Sequence, residues 1–109
     1  MIAQTPKPPY YSVIFTSVRT SGDNGYASMS NKMMQLASEQ PGFLGVESAR
    51  EEVGITVSYW QDEASIQQWR EHIEHRLARK KGRELWYKEF SVRIAKVERQ
   101  YSFDSSQDD

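Results

Sequence analysis

The spacing of hydrophobic positions changes several times along the chain, and each spacing predicts one type of element. Four segments are rich in β-branched and aromatic residues and are bounded by turn-forming residues, which predicts strands at Tyr10–Val18, Phe43–Arg50, Ile55–Trp60 and Trp86–Tyr101. Two segments between them carry apolar residues at helical spacing. The predicted order of elements is therefore β-α-β followed by β-α-β.

The first predicted helix follows Asp23 or Asn24, either of which can cap its N-terminus, and it is stopped by Pro41-Gly42. Its apolar stripe consists of Tyr26, Met29, Met33 and Leu36. We expect this stripe to face the same space as the end of the third strand.

The second predicted helix is capped by Asp62, runs to about Lys81 and ends at Gly82. Its apolar stripe consists of Ile66, Trp69, Ile73 and Leu77.

Two β-α-β units with right-handed crossovers predict an α+β, ferredoxin-like domain. Its four-stranded antiparallel sheet has the strand order 4-1-3-2, and both helices lie on one face. The domain spans residues 10–101. Residues 1–9, which include Pro6, Pro8 and Pro9, are predicted to be an extended N-terminal arm, and residues 102–109 a polar C-terminal tail.

The first strand carries large apolar side chains on both of its faces. Tyr11, Val13 and Phe15 point to one side, and Tyr10, Ile14 and Val18 point to the other. Helices cover only one face of the predicted sheet, so the other face needs a partner. We expect a homodimer that forms through the open sheet face.

The composition excludes several classes of function. The 109 residues carry a net charge of −1 with acids and bases interspersed, and they include no Cys. This balance argues against nucleic-acid binding, and the third strand lacks the motif of an RNA-recognition module. No thiolate chemistry is available. The chain shows neither a signal-peptide pattern at its start nor a membrane-spanning run, so we expect no membrane contact and a cytoplasmic location.

The two histidines of the second helix occupy different positions on the helical wheel. His72 lies at the flank of the apolar stripe beside Trp69, whereas His75 falls nearly opposite the core and is expected in water. His72 can serve as a ligand-binding or catalytic group near neutral pH, or as a partly buried histidine bonded to backbone. The pair lacks a third convergent ligand, so no metal is expected.

Large rings near the end of the third strand are candidates for a substrate pocket. Trp60 and Trp69 can stack on a flat substrate or simply pack in the core, and Tyr59 and Met33 are placed with them as substrate-binding candidates. Arg83 can bind an anionic group or complement the dipole of the second helix, and the preceding cations are interpreted in the same way.

Three stretches resemble the antibiotic biosynthesis monooxygenase-like domain family. Pro41–Glu47 reads PGFLGVE, Tyr59–Trp69 reads YWQDEASIQQW and is followed by His72, and the last strand carries Trp86-Tyr87 before Phe90 and Arg93. The resemblance implies a dimeric ferredoxin-like α+β barrel with a pocket between sheet and helices. Some members oxygenate aromatic polyketides without metal or flavin, and others degrade haem.

The haem-degrading branch of this family uses three residues, of which this chain matches one. Trp69 matches the helix tryptophan. The Asn of the first strand has no counterpart in Phe15–Ser17, and Arg79 stands where a His is expected ten residues after the tryptophan. The resemblance therefore carries over only Trp69 and His72 as pocket residues.

The leading hypothesis is a cofactor-independent monooxygenase that acts on a small flat aromatic or quinol-type compound, with His72 as the catalytic residue. A non-catalytic ligand-binding or stress-related dimer is the alternative, and a haem-binding relative is a third.

Overall fold

The computed structural model describes residues 2–106, apart from the side chains of Ile73 and Glu74. Its elements in chain order are β1 (Tyr10–Arg19), α1 (Tyr26–Ser38), β2 (Phe43–Arg50), β3 (Gly54–Trp60), α2 (Glu63–Glu71), α3 (Ile73–Lys81), a π-helical turn (Gly82–Trp86) and β4 (Tyr87–Val97).

The four strands form one antiparallel sheet in the order β2-β3-β1-β4. This confirms the predicted α+β, ferredoxin-like architecture and its strand order. In the register of the central strands, Tyr11 lies opposite Trp60 and Val13 lies opposite Ser58. Strands β2 and β4 are the edges of the sheet.

The two faces of the sheet have different environments. Ala37 of α1, Ile66 of α2 and Trp60 of β3 form one buried cluster, against which Tyr11 and Val13 pack. Both helices therefore cover the face that carries these residues, which we call the helix face. The opposite side, the open face, carries Tyr10, Ile14, Val57 and Tyr59, because side chains alternate along each strand.

The N-terminal arm covers one end of the open face. The Ala3 backbone N–H donates to the Glu47 carboxylate at 2.9 Å, and the Thr5 hydroxyl lies 2.9 Å from that of Tyr10. The Tyr10 hydroxyl also donates to the side chain of Gln100. Tyr10 is buried by these contacts. At this end the open face is therefore covered by the chain itself and not by a partner.

The second predicted helix is in fact two helices, which is a correction. His72 has φ −60° and ψ 130°, so the helical path breaks there and restarts as α3. The break changes which side chains face the core. Leu77, a predicted core residue, is 53% exposed, and Ala78 is buried in its place. The prediction for Ile73 lies outside the described side chains.

The α-helix ends at Lys81 with Gly82 as its C-terminal cap, as predicted, but the chain does not leave the helical path there. Gly82 keeps helical backbone angles, and the chain continues through the π-helical turn to Trp86. A Cβ on Gly82 would lie 3.1 Å from the Tyr87 ring, so this glycine allows close packing there. The last strand begins at Tyr87 and ends at Val97, four residues before the predicted end at Tyr101.

Aspartates accept hydrogen bonds at the N-termini of the first two helices. Asp62 accepts hydrogen bonds from the Ser65 backbone N–H at 2.8 Å and the Ser65 hydroxyl at 2.7 Å, as predicted, and these bonds lower the pKa of its carboxyl. The N-cap residue of α1 is Gly25, neither Asp23 nor Asn24, but Asp23 still supports the start of the helix by accepting hydrogen bonds from the N–H groups of Gly25 and Ala27.

The α1–β2 turn and the start of α2 meet at a glycine that tolerates no side chain. Gly42 has φ +85°, and a Cβ there would lie 2.0 Å from Ser65 Oγ, whereas Gly25 has φ +82° and open space around it. Gly25→Ala should therefore cost only the left-handed backbone penalty, about 1 kcal/mol. Gly42→Ala should cost about 3 kcal/mol, because it adds an overlap with α2. Urea unfolding measures both losses, and equal losses would contradict the tight contact.

Candidate functional site

Aromatic rings from β2, β3 and α2 meet under the helices. Trp60 is fully buried, and its indole N–H donates to the Ser58 hydroxyl at 2.9 Å. Trp69 lies nearly parallel to Trp60, with ring centroids 6.2 Å apart, and Phe43 meets Trp60 edge-on at 5.4 Å. The structure thus brings together the two tryptophans that the sequence selected.

His75 lies on Trp69, which corrects the prediction that it is in water. The two rings stack at 4.3 Å between centroids with planes 16° apart, and His75 Nδ1 lies 2.9 Å from the Trp69 carbonyl oxygen. The cause is the break at His72, which turns α3 so that its first turn folds back over α2. No helical wheel drawn through residues 62–81 can show this contact.

The surroundings of His75 favour its neutral form. Burial lowers the pKa of the imidazole, and the positive charges of Arg79 and Arg70 lower it further. The hydrogen bond to the Trp69 carbonyl raises the pKa but does not offset these effects. Because a carbonyl oxygen can only accept, Nδ1 carries the hydrogen in this contact. The second nitrogen, Nε2, then holds the lone pair of the neutral ring.

His72 stands at the junction of α2 and α3, beside Trp69. Its ring centroid lies 5.7 Å from that of Trp69, which matches the predicted position next to the indole. Its Nδ1 is buried and has no hydrogen-bond partner among the described residues. Buried polar atoms are normally paired, so this nitrogen stands out as a group that a bound molecule could satisfy.

Tyr59 does not belong to this cluster. It lies on the open face, where its hydroxyl donates to the Glu47 carboxylate at 2.7 Å. Burial and this bond raise the pKa of Tyr59 to about 12, and the same bond, with that from Ala3, lowers the pKa of Glu47. The sheet therefore separates Tyr59 from Trp69. Met33, the remaining predicted pocket residue, is half-buried on α1.

A second ring cluster occupies the far end of the helix face and was missed in the sequence. Tyr26 was expected near Trp60 but packs instead on Trp86 and Tyr87, at 5.9 and 5.7 Å between centroids. The Arg19 guanidinium lies 3.6 Å from the Tyr26 ring centroid. Burial, followed by a hydrogen bond to Tyr26, raises the pKa of Tyr87. The adjacent aromatic pair Trp86-Tyr87 was the signal that could have indicated this cluster.

Two surface depressions lie away from the tryptophans. One, of about 400 Å³, is lined by α3 and the turn that follows it, and the other, of about 240 Å³, lies where β1 and β4 meet. Within residues 2–106, omitting the two undescribed side chains, no three His, Asp or Glu side chains are placed to hold a metal ion. In the same part of the chain, no helix has the length and apolar character needed to cross a membrane.

Comparison with known proteins places these features in a family. A sequence model described as antibiotic biosynthesis monooxygenase matches residues 9–81. A Bacillus subtilis relative, the uncharacterized protein YqjZ, is 51% identical over 99% of this chain and 96% of its own length.

Solved structures show the same fold at low sequence identity. Rv0793 from Mycobacterium tuberculosis superposes with a TM-score of 0.75 at 10% identity, over 85% of this chain and 99% of its own. SnoaB from Streptomyces nogalater, a cofactor-independent oxygenase, superposes with a TM-score of 0.68 at 11% identity, over 87% of this chain and 97% of its own. The family predicted from the sequence motifs is confirmed: this chain belongs to the antibiotic biosynthesis monooxygenase family.

Proposed function

We propose that this protein is a cofactor-independent monooxygenase whose substrate is a small flat aromatic or quinol-type compound. The substrate binds beside Trp69 and His72 on the helix face of the sheet. It supplies the electrons to dioxygen, and the protein supplies binding, orientation and a base.

The buried, unpartnered Nδ1 of His72 is the observation that carries this proposal. A buried acceptor without a donor costs about 1–3 kcal/mol, and a phenolic O–H that donates to it would recover that cost. The same geometry suits general-base catalysis, because the proton moves from the phenol oxygen to the imidazole and leaves an electron-rich phenolate. Trp60 and Trp69 would shape the apolar wall beside it.

Family membership supports the reaction type. The family that matches this chain is named for antibiotic biosynthesis monooxygenases. SnoaB, which shares the fold, is a cofactor-independent oxygenase. At 11% identity SnoaB and this chain share only the fold, so the likeness does not identify the substrate of this protein.

The ring stack supports a second candidate, a non-catalytic ligand-binding dimer. Trp60 is fully buried, and His75 stacks on the ring of Trp69. These rings therefore pack against one another without a ligand. In this function His72 is an inert neighbour of the stack. The haem-binding alternative retains only Trp69 of its three expected residues, and a haemin titration that gives no Soret shift would remove it.

The dimer remains part of the proposal. Ile14, Val18 and Val57 are half-buried on the open face, and Ile55 beside them is 47% exposed. The arm covers the other end of that face. A second copy that packs its own open face here would remove this apolar surface from water.

Replacement of His72 tests the catalytic role. His72→Ala should lower turnover by about 10²- to 10⁴-fold, because the general base is lost, while the dimer is retained. Oxygen uptake with a panel of hydroquinones measures turnover. The matched control is Gln68→Ala, which changes an exposed position on α2 and should leave turnover unchanged. Turnover by His72→Ala equal to that of the control would remove His72 from the mechanism.

The lowered pKa of His75 predicts a loss of stability in mild acid. An unfolded histidine takes up its proton near pH 6.5, and the folded protein takes it up only at lower pH. The contribution of His75 to stability should be complete above about pH 6.5 and fall as the pH decreases below it. Urea unfolding midpoints at pH 7.5 and pH 5.5 measure the loss of stability between the two pH values. This loss should be smaller in His75→Gln. An unchanged difference would show that His75 is not the group responsible.

Sedimentation tests the dimer and its face. The wild-type protein should sediment as a dimer at micromolar concentration, and Ile55→Glu should convert it to a monomer by placing a charge on the open face. Leu77→Glu is the control, since Leu77 is 53% exposed on α3, away from that face. A monomeric wild-type protein, or a dimer that survives Ile55→Glu, would contradict the proposed interface.

A further inference from the structure

Positive charge is concentrated in one short segment of this slightly acidic chain. Residues 70–84 hold six of the 14 Lys and Arg residues but only three carboxylates, so the segment carries +3 in a chain whose net charge is −1. The six are Arg70, Arg76, Arg79, Lys80, Lys81 and Arg83. Elsewhere the chain is therefore clearly acidic, and the cations are not a general property of the surface.

These cations surround a concave surface rather than projecting separately into solvent. Among the described residues, the depression of about 400 Å³ is lined by Arg76, Arg79, Lys80 and Arg83, with Glu84 as the one acidic residue. The Arg79 guanidinium donates to the Arg70 backbone carbonyl at 3.3 Å, a contact that links α3 to the end of α2.

The charges in the depression are not balanced by the part of the chain that the structure describes. None of the four lining cations forms an ion pair with a described carboxylate. Burial, and then the like charges of Arg70 and Arg83, lower the pKa of Arg79, as expected for a guanidinium with other cations close to it.

The helix dipole explains only some of these positions. Arg79, Lys80 and Lys81 occupy the last turn of α3, where a cation is favourable. Arg76 lies in the first turn of the same helix, at the positive end of the dipole, and Arg83 lies beyond its C-terminus. A role in stabilising α3 therefore does not account for the whole group.

We propose that the depression bounded by Arg76, Arg79, Lys80 and Arg83 is a binding site for a small phosphate-bearing anion. Several guanidinium groups present paired N–H donors that fit phosphate oxygens, and a multiply charged ligand offsets more of their repulsion than a single carboxylate does. The volume is that of a small-molecule site. This site is separate from the aromatic cluster and does not depend on the proposed reaction.

Titration with pyrophosphate tests the site in the full-length protein. At constant ionic strength, pyrophosphate should bind the wild type, as followed by calorimetry, and shift the amide resonances of residues 70–84. Arg79→Gln and Arg83→Gln should each weaken binding at least about tenfold. Arg99→Gln, which removes an exposed cation after β4, is the matched control and should bind as the wild type does.

Thermal unfolding adds a second measurement. Without ligand, Arg83→Gln should raise the midpoint, because one repelling charge is gone, and pyrophosphate should then raise it less than in the wild type. Equal affinity in Arg83→Gln and Arg99→Gln would overturn the proposal, as would equal stabilisation by sodium chloride at matched ionic strength. Binding to vesicles that contain anionic phospholipid, without binding to pyrophosphate, would overturn the assignment of a soluble ligand.

Discussion

The burial of one indole, that of Trp60, holds the helices on the sheet. Trp60 stands at the end of a central strand, forms one buried cluster with Ala37 of α1 and Ile66 of α2, and lies next to Trp69. Tyr11 and Val13 of β1 pack against this cluster. The one polar atom of the ring, the indole nitrogen, donates its hydrogen to Ser58 in the same strand, so the ring can be buried completely without a helix having to provide an acceptor. The position of α2, and with it the site around Trp69, depends on this ring.

Much of the fold could be predicted because strands and turns are local features. Strand-like composition between turn residues located the four strands, and right-handed crossovers between them gave the strand order. The alternation of side chains along a strand separates Tyr59 from Trp60, because neighbours in a strand point to opposite faces, so a pocket containing both was inconsistent with the strand itself. The period of the strand is by itself sufficient to exclude Tyr59 from a pocket that contains Trp60.

The break at His72 could not be predicted in this way. Neither Pro nor Gly stands at residues 70–74, and the apolar spacing continues through the break, so a single helix fits the pattern. What decides the outcome is tertiary: a stack of His75 on Trp69 is available only if α3 changes direction. The described part of α3 buries little apolar surface apart from Ala78, so this ring contact and the following Trp86 carry most of its attachment.

The attachment of the N-terminal arm has a consequence for variation in this part of the chain. At Ala3 the arm is held by a backbone N–H, which any residue except proline provides, and the Ala3 methyl group lies close to Gly45. Substitutions at this position should therefore be tolerated when the residue stays small. Proteolytic removal of the first few residues would remove the Ala3 N–H, so that Glu47 would keep only its hydrogen bond from Tyr59. It would also expose the strip of the open face that the arm covers.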